Sequence, residues 1–314
     1  METSVKVPPA VEETPGSARI RWWPFRGKPF PTYLEAVLMT VSIMCGQALV
    51  AVVAAIWLAV ALAVSEDHSV SIGGKTVVVL FGASLAFMVP PILWGLWRAG
   101  HPAREALGLR RAPAAAFLGT ITLSIGLNVC LSEMDNLIRT TCPLPNLVED
   151  YMGIALGAPV GMFVTVCVMA PVLEESLFRG LILNGLLKRR GPRKAILVTA
   201  LLFAIGHVNP AQVLFAFLLG VVFGWLFLRT HSVWVAILAH FTHNCMAALS
   251  PLFAPGIPGA TTEPEPGVFQ PLWLDLLGLA LLMAGMVIFA AATSSRTAEH
   301  APADTREEAC GDSR

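Results

Sequence analysis

Apolar runs of about twenty residues recur along this chain, and a run of that length is what an α-helix needs to cross the ~30 Å hydrocarbon core of a bilayer. The runs fall at Ala36–Val64, Thr76–Trp97, Ala114–Leu131, Ile154–Leu187, Ala195–His207, Ala211–Leu228, Val233–Leu249 and Leu272–Ala292. Composition agrees: 55% of the residues are hydrophobic and 13% charged, with mean hydropathy +0.69, whereas a soluble domain carries roughly 25% charge. A soluble globule is excluded. The expected fold is all-α, a polytopic membrane protein with about eight transmembrane helices. The fifth run is short, and "HVNP" (His207–Pro210) ends it with two turn formers. The fifth and sixth runs are therefore expected to form a hairpin that does not fully cross.

An even number of spans puts both termini on one side. On that assumption 18 of the 21 Lys and Arg gather there, from Lys6 and Arg19 through Arg98, Arg104, Arg110 and Arg111 to Lys188–Lys194, Arg229 and Arg296. The opposite loops hold Lys75 and Arg139 with Glu66, Asp67, Glu133, Asp135, Glu149, Asp150, Glu263 and Glu265, and Arg179 lies within a span. The positive-inside rule then makes both termini cytosolic, N-in and C-in; in a bacterium the membrane would be the inner one.

The segments read as follows. Residues 1–33 are a cytosolic basic and aromatic stretch, in which "RIRWWPFRGK" serves as an interfacial anchor and no cleavable signal is expected. Residues 34–153 carry the first three helices, 154–250 the next four with most of the polar intramembrane groups, and 251–292 an outer loop and the last helix. Residues 293–314 are expected to be a disordered tail. Cys130 and Cys142, flanking the outer end of the third span, form a candidate disulfide.

Ionisable groups inside the bilayer cost about 2.5–3.5 kcal/mol each on insertion scales, so they mark functional sites by default. Here they are Glu174, Glu175 and Arg179 on the fourth span, His207 ending the fifth, and His240 and His243 on the seventh, where the polar Asn244 joins them. Glu175 and Arg179 are four apart with the glutamate first, the favourable order for a helical ion pair. Glu174 is turned about 100° away and is left available. Counted from the basic loops, Glu174, His207 and Asn244 each lie roughly 20 Å into the span at about 1.5 Å per residue. Three helices thus bring polar groups to one depth, and convergence on one buried site is the economical explanation. The competing view is helix glue: both glutamates pair with Arg179, and each histidine makes an interhelical hydrogen bond worth about 0.6–2 kcal/mol.

A spare carboxylate in such a cavity can take a proton from water, and a nearby imidazole can share that proton or orient the water. An imidazole N–H and an asparagine amide would supply donors where an attacked carbonyl develops negative charge. Together they suit amide hydrolysis by activated water, with no covalent enzyme intermediate.

"EESLFR" (Glu174–Arg179), "FAIGH" (Phe203–His207) and "HFTHN" (His240–Asn244) resemble, in order and in helix placement, the EExxxR, FxxxH and HxxxN motifs of the CPBP family of CAAX proteases and bacteriocin-processing enzymes. The similar region runs from about Ile154 to Leu249, and "EALGLRR" (Glu105–Arg111) resembles a segment often seen ahead of it. The resemblance implies an intramembrane endopeptidase. Glu174 and His207 would activate water, His240 and Asn244 would stabilise the oxyanion, and Glu175 and Arg179 would be the supporting pair; His243 has no assigned role. It also implies a peptide or membrane-protein substrate, prenylated at a CAAX-type C-terminus in some members and not in others. No cofactor, metal or nucleic-acid partner is expected.

Three alternatives stay open on the residues alone. Glu174, His207 and His240 could be a three-ligand zinc site, although the HExxH signature is missing. A proton-coupled transporter would use the same residue types, but the first half lacks matching interrupted helices. A non-catalytic scaffold or immunity protein could keep the same cavity for binding.

Overall fold

The apolar runs fold as long helices. The computed structural model describes residues 30–64, 73–147, 154–155, 157–253, 256–260 and 266–299. No strand occurs among them. Helix α1 is Tyr33–Val64, α2 Gly74–Ala86, α3 Val89–Ala99, α4 the single turn Ala103–Ala106, and α5 Ala114–Thr141. Helix α6 runs Pro159–Leu187, α7 Pro192–Gly206, α8 Pro210–Thr230, α9 Val233–Phe253 and α10 Leu272–Glu299.

Among the described residues seven helices are long and apolar enough to cross a membrane, with α2 and α3 counted as one from Gly74 to Ala99. The chain is an all-α, multi-pass membrane protein. The fifth expected span, α7, has only 15 residues, about 22 Å at 1.5 Å per residue, and falls short of that length. It pairs closely with α8 in the expected hairpin. The turn between them contains Val208 at φ +52°. Buried Asn209 clamps it, accepting from the Leu147 backbone N–H (3.0 Å) and donating to Asn146 Oδ1 (2.9 Å).

Local chemistry sets the other ends. Thr32 and Glu35 form a reciprocal capping box at the start of α1: Thr32 N–H donates to Glu35 Oε2 (2.7 Å) and Glu35 N–H to Thr32 Oγ1 (3.1 Å). Glu35 Oε1 meets Arg98 Nε at 2.9 Å, which ties α1 to the end of α3. The second run breaks at Phe87–Met88, immediately before Pro90 and Pro91, which have no N–H to continue the helix. Gly100, at φ +67°, closes α3 in the left-handed conformation.

Helix α5 continues ten residues past the expected Leu131. Its polar extension satisfies itself. Arg139 Nε donates to Asp135 Oδ2 (2.7 Å), and the Asn136 amide donates to Glu133 Oε2 and to Gly259 O, both at 2.9 Å. Cys130 and Cys142 are both free. Twelve residues of helical rise separate them by about 18 Å, far beyond the ~7 Å Cα limit for a disulfide, so the candidate bridge is withdrawn. The last helix reaches Glu299, so residues 293–299 of the expected tail are helical. Residues 300–314 lie outside the described residues, as do "RIRWWPFRGK" and the acidic loop residues Glu66, Asp67, Glu149, Asp150, Glu263 and Glu265.

Helices α5 and α10 make the most extensive pairing in the protein. Glycines seven apart on each helix let their backbones touch: a Cβ on Gly126 or Gly285 would overlap Leu282 or Leu123. Small residues at the seam are how helices associate closely in lipid, where apolar side chains gain little from each other's company. The second half of helix α6 is closely enclosed. Leu177, Phe178, Leu181, Ile182, Leu183 and Leu186 are buried to 2% exposure or less, and α3, α7, α8 and α9 all pack on it.

Candidate active site

Glu174 and Glu175 of α6 sit between two stretches of π-helix, Phe163–Met169 and Ser176–Leu183, and Arg179 lies within the second. In the first stretch Ala170 N–H bonds Thr165 O, a five-residue step. The same step from Val166 O falls on Pro171, which has no N–H to give. That part-buried carbonyl takes its donor from elsewhere: Asn244 of α9 supplies it through Nδ2 at 2.9 Å. Wide turns of this kind inside α-helices occur frequently at functional sites.

Glu175 and Arg179 are both fully buried and pair at 2.9 Å between Oε1 and a terminal guanidinium nitrogen. The other terminal nitrogen donates to Gly220 O of α8 (3.2 Å), and the guanidinium lies over the Phe203 ring at 4.4 Å and the Phe223 ring at 5.4 Å. A desolvated arginine is thereby held by one carboxylate, one carbonyl and two aromatic faces. Glu175 Oε1 also accepts from His240 Nδ1 at 2.9 Å. A carboxylate only accepts, so the hydrogen of that bond sits on Nδ1. Nε2 of His240 is thereby aimed at the other glutamate.

Glu174 is largely buried, and its Oε2 has no hydrogen-bond partner among the described residues. It stands 4.0 Å from His240 Nε2, too long for a direct hydrogen bond. A water within ~2.8 Å of both atoms would subtend an angle of about 90° between them, a geometry water accommodates. The spacing argument for a paired Glu175 and an available Glu174 therefore matches the geometry, and the reading in which both glutamates bond Arg179 does not.

His207 follows the last turn of α7. Its Nδ1 donates to Phe203 O at 2.9 Å, which leaves Nε2 of the neutral ring as an acceptor. The rings of His207 and His240 flank Phe203, with centroids 4.8 and 5.9 Å from it. No hydrogen bond joins His207 to Glu174 or His240 among the described residues; it meets the cluster across that phenyl ring. Asn244 lies one turn from His240 on α9. His243 faces α5 instead, where Asn128 Nδ2 donates to its Nδ1 at 3.2 Å.

Sequence reasoning missed Asn128, Gly220 and Phe223, and gave Phe203 no role beyond its place in "FAIGH". Gly220 and Gly224, four apart in α8, were the available signal: Gly220 lets α8 approach so closely that a Cβ there would meet Ala200 of α7 at 2.9 Å. Among the described residues no group of three or more His, Cys, Asp or Glu is placed to hold a metal ion.

A family model described as type II CAAX prenyl endopeptidase Rce1-like matches residues 156–246, the stretch that contains every residue of this cluster except Asn128. That stretch is therefore similar to the CPBP family, which supports the resemblance read from the three motifs. The chain is 30% identical over 91 residues to the "Putative membrane peptidase YdiL" of Bacillus subtilis (strain 168), an alignment covering 29% of this chain and 37% of that protein. No solved structure matches.

Proposed function

We propose that the chain is an intramembrane endopeptidase in which Glu174 activates a water molecule. One observation carries the reading: a buried Glu174 oxygen with no hydrogen-bond partner among the described residues stands 4.0 Å from His240 Nε2, while Glu175 fixes the far side of that ring. Water held by Glu174, with His207 Nε2 as a second acceptor, attacks the peptide carbonyl carbon and gives its proton to the carboxylate. The new C–O bond pushes the carbonyl electrons onto oxygen. That oxyanion takes hydrogen bonds from His240 Nε2–H and Asn244. One amide hydrogen of Asn244 is spent on Val166 O, and the side chain has two.

Donation from Nε2 while Nδ1–H is held by Glu175 requires the imidazolium. Two carboxylates, one guanidinium and one imidazolium then sum to zero, so Glu175 and Arg179 act as electrostatic support rather than as reactants. Collapse of the intermediate breaks the C–N bond, the proton passes from Glu174 to the leaving nitrogen, and two peptides with a new carboxyl and a new amino end depart.

The substrate class is a membrane-associated peptide, with or without a prenylated CAAX-type end. Comparative sequencing of peptide C-termini from membranes of cells expressing wild type or Glu174→Ala tests the proposal. Termini that occur only with wild type support it and name the substrate. Indistinguishable sets would leave a scaffold as the function.

A further inference from the structure

On the face of the protein where basic residues gather, the end of α3, the residues ahead of α1 and the end of α6 enclose a cavity of about 170 Å³. A single water needs only ~10–15 Å³, so the cavity admits a larger group. Its polar walls are Arg98, His101, Asn184, Lys188 and Arg189, with no Asp or Glu lining it, and the Asn184 amide donates to the Glu105 and Ala106 carbonyls. The backbone makes this opening. Gly185 allows Phe30 and Pro31 to lie against α6, where a Cβ would overlap Pro31, and Gly100 turns the chain in the left-handed conformation so that His101 faces the opening.

The cationic groups are oriented by neighbours. Arg98 is fixed by Glu35 at 2.9 Å and is 11% exposed, and Arg189 donates to Pro31 O at 2.9 Å. Lys188 is half-exposed, 3.7 Å from a half-exposed Glu105, a contact of the kind worth ~0–1 kcal/mol and easily exchanged. Two carboxylates thus stand against two fixed guanidinium groups, one loosely held ammonium and an exposed histidine, so the cavity is electropositive. On the helices that adjoin it, Leu93 and Trp97 of α3 and Leu34 and Leu38 of α1 are exposed apolar side chains, and the Phe30 and Trp94 rings pack edge-on at 5.9 Å. Aromatics of this kind mark the headgroup level of a bilayer, and basic pockets between helices at that level bind anionic headgroups.

We infer that this cavity holds the phosphate of an anionic phospholipid, its acyl chains running along the exposed faces of α1 and α3. The shared chemistry is a phosphate anion; the adjoining apolar faces assign it to lipid rather than to free phosphate. The site is separate from the Glu174 cluster and stands whether or not that cluster is catalytic.

Native mass spectrometry of the full chain in detergent, with phosphatidylglycerol or phosphatidylcholine added, tests the assignment. Wild type is expected to retain phosphatidylglycerol at least fivefold over phosphatidylcholine. Retention should fall severalfold in Lys188→Gln/His101→Gln, two largely exposed positions whose change leaves the melting temperature in place. Arg193→Gln/Lys194→Gln, which removes two charges from outside the cavity, should keep it. Equal retention of both lipids, or undiminished phosphatidylglycerol in the first variant, would overturn the site. Titration with inorganic phosphate separates the sources: displacement of phosphatidylglycerol at millimolar phosphate would reassign the cavity to a free anion and overturn the lipid.

Discussion

Replacing Glu175 by glutamine should destabilise the protein far more than the same change one residue earlier. Glu175 Oε1 accepts two hydrogen bonds at 2.9 Å, from Arg179 and from His240. An amide oxygen can still accept both, but neither bond then ends on a carboxylate, and each is weaker for it. The change also strips the compensating charge from an arginine with no solvent exposure, and breaking a buried pair from one side costs about 3–5 kcal/mol in all. Glu174 is different. Its buried Oε2 has no hydrogen-bond partner among the described residues, so neutralising it removes a desolvation burden along with any interaction, and Glu174→Gln should lie within ~1 kcal/mol of wild type. The eight tryptophans provide the signal for thermal unfolding in detergent. At the ~2–4 °C per kcal/mol of chains with 150–250 residues, Glu175→Gln should melt on the order of 10 °C lower. Equal losses for the two variants, or a Glu175→Gln protein that melts with wild type, would refute the division of labour between the glutamates.

Asn244→Ala leaves the part-buried Val166 carbonyl without its donor and should cost about 1–3 kcal/mol of stability by thermal unfolding. It should also lower peptide cleavage about 10²–10³-fold if the amide serves the oxyanion; full activity would remove that role. Gly285→Val places side-chain atoms on the Leu123 backbone and should abolish a sharp unfolding transition, whereas Gly191→Ala, with nothing within 4 Å, should be silent. A maleimide reagent should label exposed Cys142 without prior reduction; labelling that appears only after reduction would contradict its free thiol.

Much of the arrangement was legible because helix geometry is short-range. The i,i+4 order of Glu175 and Arg179, and the 100° offset of Glu174, already separated the paired acid from the available one. Depth counting brought His240 to α6, since three straight helices leave few other meeting points. The rest depends on what lies across an interface. The π-turns of α6 follow from Pro171 only when Asn244 stands ready to take the orphaned Val166 carbonyl, and a linear pattern does not announce that partner. The turn of His243 toward Asn128 is set by how α9 is rotated against α5. The true length of α5 was obscured because Glu133, Asp135, Asn136 and Arg139 read as a loop; their mutual hydrogen bonds, and the contact with Gly259, keep them helical. Cys130 and Cys142 looked like a pair for the same reason, until one helix was found to carry both.

The account rests on the buried oxygen of Glu174 acting on water beside His240. Its most direct test is cleavage of a membrane-associated peptide by the purified protein in liposomes, wild type against Glu174→Gln, with matched melting temperatures verifying the fold. The account predicts hydrolysis by wild type and a loss of at least about 10³-fold in the variant, on the scale of general-base and electrostatic contributions combined. Cleavage by Glu174→Gln at the wild-type rate would contradict it.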